Sequence, residues 1–167
     1  RFREVLLLDA DNVPVVNPDF LFSEPPYLRT GAVFWPDASK WGPEAEIWQV
    51  WGLPCRDEWE VESGQVLVDK KRCWVGLRLA MWMNERASFF YQYVYGDKDT
   101  FRLAFHKARL EYAMPRRGMR RLEGTMCQHD FHANRIFQHR NLEKWLLFGE
   151  NKRIAGFLQE DRCLEFL

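Results

Sequence analysis

Long apolar runs are missing from this chain of 167 residues. None approaches the roughly 18 consecutive residues that a membrane-spanning helix requires. No sign of charge dominates, because 24 Lys and Arg balance 24 Asp and Glu. Without excess positive charge there is no long-range field to steer polyanions, so nucleic acid is not an expected partner. Cysteines are few and far apart: Cys55, Cys73, Cys127 and Cys163 form no C-x-x-C pair, which removes the zinc-ribbon and redox readings. In an oxidising lumen they would pair, and in a reducing compartment they would pack as thiols. The glycine patterns of P-loops, Rossmann dinucleotide folds and serine hydrolases are absent as well.

Aromatic residues are plentiful at 16%, within an apolar content of 47%. That suffices for a packed core and excludes a disordered chain. The length fits one domain, residues 1–167. Val5 to Leu8 is a continuous apolar run, the pattern of a strand buried on both faces. Such a strand needs neighbours, and the chain opens without Met, so it is expected to start inside a longer protein. Strands are also expected at Gly31–Trp35, Trp59–Val68, Phe89–Tyr95, Arg121–Gln128, Arg135–Gln138 and Arg153–Leu158. Helices are expected around Asp19–Phe22, over Pro43–Val50, from Asp69 to about Asn84, after Gly96, and as a turn at Leu142–Leu147. Strands alternating with helices predict an α/β sheet.

Five groups of residues could carry chemistry. Leu8-Asp9-Ala10-Asp11-Asn12 ends the first strand with two carboxylates flanking a small residue. Hard oxygen donors at a strand end suit Mg²⁺ or Mn²⁺. The ordinary alternative is a turn in which Asp and Asn bind backbone amides. Glu62-Ser63-Gly64-Gln65 places a glycine inside a strand, where it permits close approach of a ligand or an unusual dihedral; a bulge explains it equally. Glu62 and Gln65 would offer a carboxylate and an amide to sugar hydroxyls. Gly96-Asp97-Lys98-Asp99-Thr100 is an ordinary helix start, or a source of site carboxylates in Asp97 and Asp99. Of the histidines, His106 sits in a helix pattern, His129 and His132 match no common zinc spacing with Cys127, and His139 follows a strand where it could meet Asp9 and Asp11. Arg116, Arg117, Arg120 and Arg121 cluster around Gly118, as a solvated turn or a phosphate contact.

Taken in order, these segments resemble the fungal-type α-mannosyltransferases of glycosyltransferase family 71. The resemblance rests on Leu8-Asp9-Ala10-Asp11-Asn12-Val13-Pro14, Arg29-Thr30-Gly31-Ala32-Val33-Phe34-Trp35-Pro36-Asp37, Glu62-Ser63-Gly64-Gln65 with Asp69-Lys70, Gly96-Asp97-Lys98-Asp99, Gln128-His129-Asp130 and His139-x-Asn141-x-x-Lys144, spanning about residues 5 to 145. It implies a GT-A-like fold, a mixed sheet with flanking helices whose first nucleotide-binding strands would precede this chain. It implies Mn²⁺ (or Mg²⁺) held by Asp9, Asp11 and His139 against the diphosphate of GDP-mannose, with Gly64 and Gln65 near the donor. Glu62, Asp97 and Asp99 become donor or acceptor contacts around the reaction. The implied activity is metal-dependent, retaining transfer of an α-mannosyl residue to a mannan or glycoprotein glycan. The implied setting is the lumenal side of the Golgi membrane, with any anchor upstream of this chain. A non-catalytic carbohydrate-binding module, using the tryptophans as stacking platforms, is the competing class. A metal-dependent hydrolase would need further ligands beside Asp9 and Asp11, and the sequence offers none.

Overall fold

A computed structural model describes residues 2–167 and contains two antiparallel sheets flanked by helices. The first sheet has the order β1 (Glu4–Leu8), β4 (Val61–Asp69), β3 (Ala32–Pro36). The second has the order β2 (Asn12–Pro14), β7 (Arg135–His139), β6 (Thr125–His129), β5 (Arg120–Leu122). Helices α1 (Pro25–Thr30), α2 (Glu46–Trp51), α3 (Trp74–Asn84), α4 (Ala87–Phe90), α5 (Asp97–Lys107) and α6 (Glu160–Leu164) complete the fold, with a 3-10 turn at Pro18–Ser23.

The first strand departs from expectation. β1 is an edge strand paired only with β4, and Leu7 is 55% exposed. The strand buried on both faces is β3, all five of whose residues are inside. Its alternation divides two cores. Val33 and Trp35 face Leu21, Tyr27, Ile136 and Phe137, while Ala32 and Phe34 face Val66, Val68 and Phe105. Each such large side chain contributes roughly 1.5–3 kcal/mol by leaving water. The Trp35 indole stays satisfied because its Nε1–H donates to the His129 carbonyl at 2.9 Å, tying one sheet to the other.

Helix α2 ends as expected at Gly52, whose φ of 63° is open to glycine without a Cβ penalty. Helix α3 starts five residues later than expected, because Asp69 is the last residue of β4 and caps a turn. Its Oδ1 accepts the amides of Lys71 at 2.9 Å and Arg72 at 3.1 Å. The buried side of α3 is Gly76, Ala80 and Met83, leaving Trp74 and Met81 exposed. Phe89–Tyr95 is not a strand: Ala87–Phe90 forms α4, whose Phe90 meets Trp51 and Trp82 at centroid distances of 5.1 and 5.6 Å. Aromatic packing against α3 outweighs β propensity there. Arg121–Gln128 is a hairpin, turned at Gly124 with φ of 56°.

Beyond β7 the expected helical turn at 142–147 and strand at 153–158 do not form. Arg140, only 1% exposed, organises this segment instead. Its guanidinium donates to the carbonyls of Glu143 and Lys152 and stacks 3.9 Å over the Trp145 ring. A fixed fork of donors can hold irregular backbone that no ladder satisfies. All four cysteines are free thiols; burial pushes the Cys73 thiol up to about 11. No helix among the described residues is long and apolar enough to cross a membrane.

The Asp69 carboxylate is also clamped by Arg3, at 3.1 Å to Nε and 2.6 Å to Nη2. The arginine hydrogen bond lowers its pKa to about 2. A depressed carboxylate contributes stability above its unfolded value, and that contribution is lost as pH falls from about 4 to about 2. Asp69→Asn should therefore cost about 1 kcal/mol at pH 7, discounted because Arg3 is exposed. It should also flatten the melting temperature between pH 4 and pH 2; an unchanged acid limb would remove Asp69 from the acid transition.

Candidate metal centre

The chain crosses from the first sheet to the second through Asp9-Ala10-Asp11. Leu8 lies opposite Gln65 in the first sheet, and Asn12 opposite His139 in the second. The crossing is fastened at both ends. The Asp9 amide donates to the Gly64 carbonyl at 2.9 Å, and the Arg140 amide to the Asp11 carbonyl at 3.0 Å. Buried Asn12 bridges the sheets through its Nδ2, 2.7 Å from both the Gly64 carbonyl and Gln65 Oε1.

This crossing gathers Asp9, Asp11 and His139 with one ligand atom from each lying within 4.8 Å of the others. His139 Nε2 is 3.1 Å from Asp11 Oδ1 and 3.7 Å from Asp9 Oδ2. Two carboxylates and one imidazole, contributed by the crossing and a strand end, are a donor set for a divalent cation. The Asp9 side chain is 52% exposed, which leaves room for ligands from outside the protein. Asp11 and His139 are far more enclosed.

Glu62 braces this set from inside. Its Oε1 is 3.1 Å from His139 Nδ1 and accepts the Gly64 amide at 2.7 Å, and its Oε2 accepts from Gln65 Nε2. A carboxylate on Nδ1–H fixes the tautomer in which Nε2 carries the lone pair, and Nε2 is the nitrogen that faces Asp9 and Asp11. Both Glu62 oxygens are therefore engaged and buried, a different position from the sugar-contacting one expected of it. Gln65, expected beside the donor, has both side-chain ends committed to Glu62 and Asn12. Gly64 is needed for space rather than for an unusual dihedral. A Cβ there would lie 2.4 Å from His139 Nδ1 and 2.8 Å from Glu62 Oε1, so what approaches the glycine is the imidazole. The register against β3 also shifts here, with Val33 opposite Leu67 but Trp35 opposite Glu62. Bulge and close approach are one feature.

The electrostatics are those of an anion-rich corner. Burial raises the Asp9 pKa, opposed by His139 and reinforced by the charges of Glu62, Asp11 and Asp97. Burial acts the same way on Asp11, but Lys144 and His139 outweigh it and lower the pKa. For His139, burial disfavours the cation, yet Glu62, Asp11 and Asp9 prevail and raise its pKa. Lys144, on the loop after β7, donates to Asp11 Oδ2 while its side chain stays 65% exposed.

The two acids at the start of α5 separate. Asp97 is exposed, and its charge reaches Asp9. Asp99 is fully buried, accepting the Tyr95 amide at 3.0 Å, with Lys98 at 3.4 Å. Lys98 also meets Asp37 at 2.9 Å and Glu60 at 2.7 Å, so Asp99 belongs to a buried ion network apart from Asp9 and Asp11. The alternation of exposed and buried positions in the first helical turn causes this split. Asn12 and Lys144 are the residues whose part is visible only in three dimensions, although both lie in the strings singled out from the sequence. Buried His129 is pushed down by desolvation and joins no metal group among the described residues.

The family described as "Mannosyltransferase putative" matches residues 1–48 and 57–139, well over half the chain, and the chain belongs to it. Among relatives, it is 28% identical over 151 residues to alpha-1,2-mannosyltransferase MNN24 of Candida albicans, covering 66% of this chain and 21% of that protein. It is 25% identical over 184 residues to alpha-1,2-mannosyltransferase MNN2 of Saccharomyces cerevisiae, covering 83% of this chain and 30% of that protein. A 36-residue stretch is 50% identical to alpha-1,2-mannosyltransferase MNN21 of Candida albicans, covering 22% of this chain and 6% of that protein. The chain thus spans less than a third of the length of these relatives. Asp9, Asp11, Glu62, Gly64, Gln65, Asp97, Asp99 and His139 all fall inside the family match, whose last residue is His139.

Gly64→Ala should test the brace directly. The added methyl must displace the imidazole, and loss of outer-shell support typically costs about 10–100-fold in metal affinity. The expected outcome is weaker Mn²⁺ binding by at least tenfold in an electron-paramagnetic-resonance titration, with the protein still folded. Unchanged Mn²⁺ affinity would mean that His139 is not a ligand.

Proposed function

We propose that this chain is part of an α-mannosyltransferase catalytic domain of GT-A type. It would move a mannosyl residue from GDP-mannose to a mannan or glycoprotein glycan with retention of configuration, on the lumenal side of the Golgi membrane. The observation that carries the reading is the convergence of Asp9, Asp11 and His139 within a chain of mannosyltransferase family.

In this reading Asp9, Asp11 and His139 hold Mn²⁺ or Mg²⁺, and the donor set fits such an ion: hard oxygens with one imidazole. When bound, the ion neutralises charge that develops on a departing diphosphate. The rest is the work of the chain itself. Glu62, steadied by Gln65 and the Gly64 amide, orients His139. Asn12 keeps the two sheets, and hence the ligands, at fixed separation. Asp97, exposed and near enough for its charge to reach Asp9, would contact a sugar or the positive charge that builds on it. Asp99 supports Asp97 indirectly by anchoring the first turn of α5.

Asp9→Ala and Asp11→Ala in the intact protein should each reduce mannosyl transfer from GDP-mannose by at least about 100-fold, the scale on which a catalytic electrostatic group acts. Melting should stay nearly unchanged, because neither side chain is part of a core. Asp97→Asn should lower kcat and kcat/KM together, whereas Asp99→Asn should lower melting and leave kcat less affected. Full transfer by both Ala variants would eliminate the metal corner from the mechanism.

A further inference from the structure

A polar cavity of about 540 Å³ opens at the C-terminal end of α5, the end opposite Asp97. It lies where the last turn of α5 meets the segment before β4 and the one running beside β3, lined by Arg29, Arg56, Glu58, His106, Arg109 and Tyr112. Helix α5 starts with Asp97, whose charge reaches Asp9, and ends ten residues later at Lys107. At 1.5 Å per residue the helix spans roughly 15 Å between these two ends.

The floor of the cavity is a hydrogen-bonded trio. Glu58 Oε1 contacts His106 Nε2, and Tyr112 donates its hydroxyl to Glu58 Oε2 at 3.0 Å. The His106 side chain is 5% exposed. Burial opposes the Glu58 charge, but His106, Tyr112 and Arg102 outweigh it and lower its pKa. Arg102 is itself fully buried, with Nε and Nη2 unpartnered. The one acid of the floor is therefore compensated from behind.

The rim is different. Arg29, Arg56 and Arg109 are exposed and form no ion pair among the described residues, against a single rim acid, Glu111. Arg109 sits at a φ of 55°, a left-handed backbone that non-glycine residues rarely adopt. That conformation ends the helix and places Arg109 on the rim instead of on the next turn. A strained backbone, three unpaired guanidiniums and a satisfied polar floor converge on one concavity.

We propose that this cavity binds a phosphate-type oxyanion, held by Arg29, Arg56 and Arg109 above the Glu58–His106–Tyr112 floor. Planar guanidinium forks match the oxygens of a phosphate, and this site is independent of the metal corner and of the mannosyl-transfer reading. The oxyanion would be free phosphate or a phosphate monoester carried on a larger molecule.

The test is titration of the intact protein in EDTA, which strips the metal corner of any phosphate-binding cation. Inorganic phosphate and glycerol phosphate are the probes, followed by calorimetry and by NMR shifts of His106 and Tyr112. Saturable binding with a Kd of about 1 mM or tighter is expected, with shifts at both residues. A preference for glycerol phosphate identifies a monoester as the ligand class, and equal affinity identifies the free ion. Arg56→Gln with Arg109→Gln should weaken binding at least tenfold without changing melting. Arg120→Gln with Arg121→Gln should leave it unaltered. No saturable binding, or binding lost only in the Arg120/Arg121 pair, would overturn the proposal.

Discussion

Everything in the candidate site hangs on the Asn12 side chain and the backbone around it. One amide group donates to Gly64 and Gln65 in the first sheet, while its own residue pairs with His139 in the second. Two sheets joined by a two-carboxylate crossing could otherwise slide, and the three prospective ligands come from both sides of that joint. Asn12 is buried, so its hydrogen bonds form in a low-dielectric setting where losing them would cost the full desolvation of the groups left behind. The Trp35 indole, reaching the His129 carbonyl, and the Gln128 amide, donating to the Pro36 carbonyl at 2.8 Å, are further ties between the sheets. Rigid ligand geometry follows from these ties rather than from Asp9 and Asp11 themselves.

Much of this was legible in the residues, and the failures have identifiable causes. The position of β1, the glycine inside β4, the start of α5 and the pairing of His139 with the Asp9–Asp11 corner could be anticipated from periodicity and motif order. The burial of β1 could not. An apolar run reports that a strand is paired and partly covered, not whether it lies in the middle or at an edge. An open α/β sheet gathers ligands outside the carboxyl ends of its strands. In this fold the neighbours are antiparallel, and the site forms at a crossing between sheets. Glu62 and Asp99 were legible as acids worth attention, but their surroundings were not: His139 is 77 residues from Glu62, and Lys98, which meets Asp99, also meets Glu60 38 residues before it. Only the folded chain distinguishes a brace or an internal ion pair from an acid facing solvent.

The C-terminal segment shows another limit. Leu142–Leu147 carries a weak helical pattern, yet the buried guanidinium of Arg140 takes up carbonyls at Glu143 and Lys152 and holds the backbone in an irregular path. That path brings Lys144 onto Asp11. A regular helix there would take up the Glu143 carbonyl itself and leave Arg140 with one acceptor fewer. The loop's lack of periodicity is thus coupled to the placement of a cation at the rim of the site.

The charge balance of the corner then follows from its construction. Asp9, Asp11 and Glu62 bring three carboxylates to one spot, faced by His139 and by Lys144, whose side chain is mostly in solvent. Glu62 is matched by His139 and by the Gly64 amide, and Asp11 by Lys144. Asp9 is left with the weakest compensation, and its pKa is raised as a result of burial and of its acidic neighbours. A divalent cation held by Asp9, Asp11 and His139 would relieve the repulsion at Asp9 and would compete with Lys144 for Asp11. Asp9 is thus the ligand of the corner whose charged form is disfavoured, whereas Asp11 and His139 are favoured in theirs, so a bound cation would act chiefly on Asp9.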